Sequence, residues 1–336
     1  MIYDVKKLSQ TRLSCRVPIT VESRLDAVAH ELDGHNIFVV TDTNIASKYQ
    51  SLLAFDKPKY IISAGEAAKT LDTAGAIAKA MLEAGCDRKT RLIALGGGIV
   101  GDVGGFVAAC YMRGIEWTSI PTTLLAQADS GIGGKTAVNV GGFKNMFGAF
   151  CMPSSIIVST RFLTTLSDKE WLSGTGEIVK TGLLDKELWE LVYGSRLLLA
   201  QKDTDLYKRL ITKCIAIKDS VTAADFKEKG LRKVLNAGHT LGHALESIDG
   251  YKLSHGEYVL WGIKHETDYF AGDIEPKLLK QLREVLDILL MGRADPYNNH
   301  EPHKIKKAAQ ADKKNENNKT AYMIPIKAGI VAQKQA

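Results

Sequence analysis

Three histidines in the second half of the chain are spaced as metal ligands often are. His239 and His243 stand four residues apart in a segment without proline, so they share one face of a helix, and His255 follows sixteen residues after His239. A third imidazole that folds back onto such a pair completes a common kind of metal site. Core or surface histidines are the alternative, but the chain has only eight histidines. The clustering therefore favours metal binding.

A glycine-rich turn, GGGIVGDVGG at 96–105, directly follows the strand-like run 92–95. Glycines between a strand and a helix let the backbone approach a pyrophosphate, whose charge is met by N–H groups at the helix N-terminus. Gly96, Gly98 and Gly101 also satisfy the Gly-x-Gly-x-x-Gly pattern. The segment predicts a dinucleotide or phosphate site, and a tight structural turn is the alternative.

Small polar residues follow two other strand-like runs, at the position where ligands bind in open parallel sheets. Asp42 and Asn44 come directly after one run and could hold ribose hydroxyls. Thr122 and Thr123 follow another and could donate hydrogen bonds to phosphate or ribose. Helix N-capping is the alternative for all of them, because Asp, Asn and Thr are favoured caps.

The spacing of apolar residues changes near residue 160. Before it, short strand patterns alternate with helical ones, which predicts an α/β domain with a mostly parallel sheet at 1–160. The predicted strands are 37–40, 60–62, 92–95, 118–120 and 156–158, and helices include 70–84 and 100–111. Helical spacing then prevails at 168–184, 188–200, 206–224 and 276–290, and only 321–326 is extended. We therefore expect a helical domain at 161–336.

Composition narrows the classes of function. Of 336 residues 45% are hydrophobic, and the net charge of +6 is spread along the chain except for a Lys- and Asn-rich patch at 304–319. This argues against a nucleic-acid-binding arm and suits a small anionic substrate, although a merely basic surface would look the same. Five scattered cysteines indicate a reducing compartment. With neither a signal peptide nor an apolar run of about 20 residues, we expect a cytoplasmic protein without a membrane partner.

A series of motifs resembles the 3-dehydroquinate synthases, which are sugar-phosphate cyclases. The matching blocks, in the family's order, are GEAAK (65–69), GGGIVGDVGGF (96–106), RG with SIPTTLLAQADSGIGGKTAVN (113–139), KNMFGAF (144–150), GEIVK (176–180), LRKVLNAGHTLGHALE (231–246), HGE (255–257) and DKK (312–314). The resemblance implies a Rossmann-like NAD-binding α/β domain, an all-α metal-binding domain and a homodimer.

The resemblance also implies a carbon–oxygen lyase of the shikimate pathway. It would convert 3-deoxy-D-arabino-heptulosonate 7-phosphate to 3-dehydroquinate and phosphate through transient oxidation by NAD, phosphate elimination, re-reduction and intramolecular aldol closure. Matched motif by motif, Glu177, His239 and His255 would bind one divalent metal, zinc or cobalt, and His243 would face the substrate instead. Two imidazoles and one carboxylate leave positions open on the ion, as catalytic sites do.

The same match implies the residues that contact NAD. They are Asp42, Asn44, Glu66, Lys69, Gly98, Ile99, Val100, Gly101, Asp102, Thr122, Thr123, Lys135, Lys144, Phe162, Leu163, Thr164 and Thr165.

A substrate with a carboxylate and a phosphate needs cationic and polar contacts. Those implied by the resemblance are Asp129, Lys135, Asn145, Lys180, Lys218, Arg232, Asn236, His243, Lys313 of the DKK motif, and Arg113 reaching in from a neighbouring subunit. Lys218 and Arg232 would hold the carboxylate, and His243 and Lys180 would handle protons. A lone lysine is ordinarily a solvated surface charge, so these assignments depend on the motifs.

Other classes of protein are weighed against this one. A sister cyclase could apply the same chemistry to another phosphorylated sugar, without needing the carboxylate pair Lys218 and Arg232. An NAD- and metal-dependent alcohol or glycerol dehydrogenase would have little use for these cations and would release NADH. A binding protein without activity would be expected to lack a ligand or a site cation, and none is missing.

Overall fold

The structure is a computed structural model that describes residues 1–5, 17–310 and 320–335. The chain forms two compact units: Cys15–Leu166, and Met1–Ser14 together with Ser167–Ala336. The predicted fold class is confirmed, because the first unit is built on a parallel sheet and the second is mostly helical.

The α/β unit contains a six-stranded sheet in which all strands are parallel. The strands are β2 (Ile19–Glu22), β3 (Ile37–Asp42), β4 (Lys59–Ile62), β5 (Arg91–Gly96), β6 (Trp117–Pro121) and β9 (Ser155–Ser159), in the order β2-β9-β6-β5-β3-β4. All five predicted strands are present, each slightly longer than the apolar run that marks it. The central strands β3 and β5 are buried along almost their whole length, as parallel strands between layers are.

The helices of this unit are α1 (Asp26–Leu32), α2 (Thr43–Lys48), α3 (Leu71–Glu83) and α4 (Gly98–Cys110). Alternate residues of β5 enter two different apolar cores: Leu92 and Ala94 join one, and Ile93 and Leu95 join the other. This period of two follows from the pleat of the strand. The sheet is therefore covered on both faces, and its strand ends are left to carry ligand-binding residues.

An antiparallel hairpin, β7 (Lys135–Val140) and β8 (Phe143–Phe150), was not predicted from the sequence. Its turn contains Gly141 and Gly142 with φ values of 60° and 81°, which glycine adopts without steric cost. Most of β8 is exposed, so it lacks the apolar alternation that identifies a half-buried strand.

The second unit contains seven described helices: α5 (Asp168–Gly182), α6 (Lys186–Gly194), α7 (Thr204–Ala224), α8 (His239–Ile248), α9 (His255–Tyr269), α10 (Pro276–Leu289) and α11 (Pro302–Gln310). The predicted helix 188–200 ends early, at Gly194. Ser167 and Glu170 form a capping box that starts α5 at the predicted residue.

This unit also holds a three-stranded antiparallel sheet of β1 (Ile2–Asp4), β11 (Ile330–Gln335) and β10 (Ala321–Lys327), in that order. The extended segment predicted at 321–326 is β10, but its two partner strands were not predicted. Among the helices of the described residues, none has both the length and the apolar character to cross a membrane.

Candidate functional site

Three helices of the second unit bring the predicted metal ligands together. Glu177 lies in α5, whereas His239 and His255 are the first residues of α8 and α9. The Oε1 atom of Glu177 is 3.6 Å from His239 Nε2 and 3.3 Å from His255 Nε2. His243 joins them, because one ligand atom from each histidine lies within 4.8 Å of those of the other two.

The Nδ1 atoms of the two predicted ligands have their own partners. His239 Nδ1 is 3.2 Å from the carbonyl oxygen of Ala237, and His255 Nδ1 is 3.1 Å from Oε2 of Glu246. Hydrogen bonds at Nδ1 fix the tautomer that presents the Nε2 lone pair, and both Nε2 atoms face Glu177. One carboxylate and two imidazoles so oriented fit a divalent metal such as zinc.

His255 lies between two carboxylates. Burial alone would lower its pKa, but hydrogen bonds to Glu177 and Glu246 outweigh burial and raise the pKa of His255 to about 10. A metal-binding imidazole needs an unprotonated nitrogen. A proton and a metal ion therefore compete for this side chain.

Glycines next to two of the predicted ligands let helices α5 and α9 approach closely. A Cβ atom on Gly256 would lie 1.8 Å from the carbonyl oxygen of Ser173, and one on Gly176 would lie 2.2 Å from that of Gly256. Any side chain at either position would force the helices apart. The short distance from Glu177 to His255 therefore depends on these two glycines.

Three predicted substrate cations are buried in this unit. Lys180 is 1% exposed and forms an ion pair with Glu177, Lys218 of α7 is 6% exposed, and Arg232 is 2% exposed. Asp225 positions Arg232: its carboxylate accepts a hydrogen bond from the Arg232 backbone N–H at 3.0 Å. Ammonium and guanidinium groups bind anionic ligands through charge-assisted hydrogen bonds. Asn236 and His243 are half-buried, and Lys313 lies outside the described residues.

The α/β unit contains a pocket at the N-terminus of α4. Its lining residues include Gly96, Gly97, Gly98, Gly101, Asp102, Ser130 and Lys135. The N-cap, Gly97, has no side chain to bond the first N–H groups of the helix, so these groups suit a phosphate. A Cβ on Gly98 would approach Ser130 Oγ to 3.0 Å, so glycine keeps this part of the pocket open. Glycines at a helix N-terminus are the chemistry that a phosphate group needs at such a turn.

A polar network links predicted NAD and substrate residues within this unit. Lys69 is 4% exposed, forms an ion pair with Asp102 and donates a hydrogen bond to the side chain of Asn145. Asn139 donates to Glu66 at 2.8 Å and accepts from the backbone N–H of Asn145 at 3.0 Å. The network holds Asn145 from two sides.

Several predicted NAD contacts also have structural roles. Asp42 caps α2 by accepting from Ile45 N at 2.9 Å, and Thr123 accepts from Ala126 N at 3.2 Å, as the capping alternative requires. The side chains of Val100, Phe162 and Leu163 belong to the protein core, so only their backbones are suited to a ligand. Among the remaining predicted contacts of this unit, Thr122 is buried. The others are half-buried or exposed, and they include Asn44, Ile99, Gly101, Asp129, Lys144, Thr164 and Thr165.

Arg113 lies in a turn with unusual backbone geometry. Met112, Arg113 and Gly114 have φ values of 48°, 72° and 117°. Left-handed conformations are unfavourable for the first two residues, and such strain is retained mainly at functional positions. The turn leaves the Arg113 side chain exposed.

Sequence reasoning missed Asn139, Asp225 and Glu246 as members of the site. Asn139 and Glu246 each end a motif that resembles the family, so their positions were visible although their roles were not. Asp225 lies before the motif at 231–246, and its role depends on how the loop 225–232 folds back on its carboxylate.

Comparisons with known proteins agree along most of the chain. The family model described as 3-dehydroquinate synthase N-terminal matches residues 59–173, and the one described as 3-dehydroquinate synthase C-terminal matches residues 174–315. The 3-dehydroquinate synthase of Thermoanaerobacter sp. (strain X514) is 37% identical over 305 residues, covering 88% of this chain and 85% of the relative. That of Geobacillus kaustophilus is 46% identical over 239 residues, which are 68% of this chain and 65% of the relative.

Solved structures show the same fold. The 2-epi-5-epi-valiolone synthase ValA of Streptomyces hygroscopicus, with NAD+ and Zn2+ bound, superposes with a TM-score of 0.84 at 24% identity, covering 97% of this chain and 94% of that one. A 2-deoxy-scyllo-inosose synthase complexed with carbaglucose-6-phosphate, NAD+ and Co2+ gives a TM-score of 0.82 at 23% identity, covering 95% and 93%.

Proposed function

Because the chain belongs to the 3-dehydroquinate synthase family, we propose that it converts 3-deoxy-D-arabino-heptulosonate 7-phosphate to 3-dehydroquinate and phosphate. The observation that carries the proposal is the buried cluster of Glu177, His239 and His255 with the Lys180 ammonium beside it. In this cluster both proposed histidine ligands and the Lys180 ammonium contact the Glu177 carboxylate. In this role the protein is a lyase of the shikimate pathway, which supplies aromatic amino acid biosynthesis.

We assign two cofactors, NAD and one divalent metal, zinc or cobalt. When bound, the metal favours loss of a proton from a substrate hydroxyl and NAD accepts and returns the hydride. Glu177, His239 and His255 would hold the metal. The N-terminus of α4 and the polar network around Lys69 would hold NAD.

We assign the carboxylate and the phosphate of the substrate to separate sets of residues. Lys218 and Arg232 would bind the carboxylate, for which the planar guanidinium of Arg232 is well shaped. Within the helical unit, Asn236 and His243 would contact the phosphate or hydroxyls. Lys135, Asn145 and Asp129 are the substrate contacts that we assign to the α/β unit. Lys313, which lies outside the described residues, remains a predicted phosphate contact.

Lys180 and His243 are the groups we assign to proton handling. Lys180 is fully buried and paired with the Glu177 carboxylate, so its ammonium is held beside the proposed metal. The His243 ring centroid is 4.9 Å from that of His239 and 5.5 Å from that of His255. Either side chain could hydrogen-bond a substrate hydroxyl beside the proposed metal ligands.

We further propose that the predicted domain at 1–160 binds NAD and that the one at 161–336 binds metal and substrate, with the correction that Met1–Ser14 belongs to the second unit. We also propose a homodimer and action in the cytoplasm. Support for the dimer comes from the hairpin β7–β8, whose strand β8 exposes Phe143, Met146, Phe147 and Phe150 by 43–69%. Large exposed apolar patches mark interaction surfaces. The exposed Arg113 would then contact a neighbour's substrate phosphate.

One assay tests the reaction. The metal-loaded protein is incubated with 3-deoxy-D-arabino-heptulosonate 7-phosphate and a catalytic amount of NAD, while phosphate, dehydroquinate and NADH are followed. Equal amounts of phosphate and dehydroquinate without net NADH are expected. NADH in amounts equal to substrate would identify a dehydrogenase instead, and phosphate release only from another sugar phosphate would identify a sister cyclase.

A further inference from the structure

Two carboxylates that belong to none of the predicted site sets, the half-buried Glu246 and the buried Glu266, contact the helices of the proposed metal site. Glu246 lies in α8 and reaches His255 of α9, with Oε2 3.1 Å from Nδ1. Glu266 lies in α9 and reaches the start of α8, where His239 is the first residue. Each helix thus carries one carboxylate that contacts the other helix.

The Glu266 side chain replaces the missing cap of α8. Glu266 is 1% exposed, and its two carboxylate oxygens accept hydrogen bonds from Gly238 N at 3.0 Å and Leu241 N at 2.9 Å. These are the N-cap and N3 amides, the same two that a capping box satisfies with local side chains. One carboxylate from a neighbouring helix therefore accepts both hydrogen bonds that two local capping side chains would otherwise accept.

Gly238 explains why the cap must come from elsewhere. Its φ of 72° and the position of a Cβ atom, 2.9 Å from the carbonyl oxygen of Val259, exclude any side chain. The N-cap residue hence cannot bond its own helix. The negative charge of Glu266 at the positive end of the helix dipole adds to the stabilisation.

Glu246 sets the orientation of the other histidine. Its side chain is 13% exposed, and the hydrogen bond to His255 Nδ1 turns Nε2 towards Glu177. Carboxylates in this position fix the ring and increase the basicity of a metal-binding histidine.

We propose that Glu246 and Glu266 are positioning residues that act as a reciprocal pair: Glu246 orients His255, and Glu266 fixes the first turn of α8 with His239 and His243. This inference rests on the proposed metal site. Its test therefore measures metal binding itself, without substrate or NAD.

The experiment compares cobalt-loaded wild type with the variants Glu246→Gln, Glu246→Ala, Glu266→Gln and Glu266→Ala. The readouts are the cobalt dissociation constant, from competition with a chelator, and the visible absorption spectrum, which reports the ligand geometry. Asp249→Asn is the matched control, because Asp249 is buried and joins the same two helices through Tyr258, 2.7 Å away, without contacting a proposed ligand.

We expect Glu246→Ala to weaken cobalt binding about 10- to 100-fold and shift the spectrum, as loss of an outer carboxylate does. Glu246→Gln recovers part of the affinity, since the amide oxygen can still accept from Nδ1. Glu266→Gln, which keeps one acceptor oxygen, changes the spectrum less than Glu266→Ala does. If Glu266→Ala does not fold, the cobalt constant and spectrum of Glu266→Gln are compared with those of wild type to test the role of Glu266.

Asp249→Asn should lower the thermal unfolding midpoint and leave the cobalt constant and spectrum unchanged. The inference is overturned if the Glu246 and Glu266 variants behave in the same way as this control. Failure of the wild type to bind cobalt would instead reject the proposed metal site.

Discussion

His239 and His243 lie one turn apart on α8, yet their surroundings differ. His239 is 8% exposed and its Nδ1 is fixed by the carbonyl oxygen of Ala237, whereas His243 is half-buried beside it. A fixed Nδ1 is typical of a metal ligand. A more accessible imidazole next to the proposed metal ligands is better placed to meet a substrate.

The difference can be measured by metal content and turnover. We expect His239→Ala to lose both bound metal and activity, whereas His243→Ala keeps the metal and loses rate by about 100-fold or more, the usual contribution of a proton-transfer group. His303→Ala, at a side chain that is 73% exposed, serves as the control and should match wild type. Equal loss of metal from the His239 and His243 variants would show that both are ligands.

The raised pKa of His255 predicts a pH-dependent metal affinity. In the folded, metal-free protein the pKa of the His255 imidazole is about 10, against an ordinary value of 6.5. The proton on His255 therefore stabilises the fold fully below pH 6.5, and this stabilisation is lost as the pH rises through 10. Metal binding near neutral pH must displace that proton. Metal affinity should therefore rise about tenfold per pH unit between roughly pH 7 and 9.

Calorimetric titration in buffers of different ionisation enthalpy checks this, since one proton released per metal ion gives a heat that varies with the buffer. Affinity that is independent of pH in that range would contradict the protonated state assigned to His255.

At the residue scale, the sequence indicated which side chains meet but not what supports them. His239, His243 and His255 were marked by type and spacing, and Glu177 by its motif. Asp225 and Glu266 bond to backbone amides, and any acidic side chain at a suitable distance could do the same. The fold of the loop 225–232 sets the partners of Asp225, and the packing of α8 on α9 sets those of Glu266; one sequence displays neither.

At the scale of elements, the crossing of α5 and α9 determines how near Glu177 and His255 lie. Gly256→Ala would force a Cβ atom into the carbonyl oxygen of Ser173. We expect a loss of about 1–3 kcal/mol in the free energy of unfolding, the usual cost of overpacking, together with weaker metal binding.

The matched control is Gly75→Ala in α3, where nothing lies within 4 Å of the added atom. Alanine in a helix interior is favoured over glycine by about 0.5–1 kcal/mol, so this variant should gain stability. Urea unfolding followed by circular dichroism measures both changes. Equal stability of the Gly256 variant and wild type would show that the helices can separate without cost.

The predicted elements share a feature that the missed ones lack. Five strands of the parallel sheet are marked by short strand-like runs, and α10 has the spacing of an amphipathic helix, so local sequence was sufficient for them. The sixth strand, β2, has no such run and was not predicted. Strand β1 has only three residues, and β8 is exposed. Both exist because of pairing with another strand, which local periodicity does not reveal.

At the scale of the whole molecule, the apolar surface of β8 predicts association. Replacing Phe143 and Met146 together by Asp should shift the protein from dimer to monomer in sedimentation experiments and reduce turnover, because Arg113 could no longer reach a neighbour's substrate. Leu82→Asp, at an exposed apolar residue of α3 in the same unit, should leave the mass unchanged. A wild-type monomer with full activity would contradict the prediction.

The pairing of β1 with β11 joins Ile2 to Ala332 and Asp4 to Ile330. On a ribosome, all six strands of the parallel sheet are available once residue 159 has emerged, whereas β1 must wait for residues 330–335. The α/β unit can therefore fold while later residues are being translated, whereas the helical unit is completed only after residues 330–335 have emerged. A nascent chain stalled before residue 330 would hold a finished parallel sheet and an incomplete helical unit, and we expect chaperones and proteases to act on that unit first.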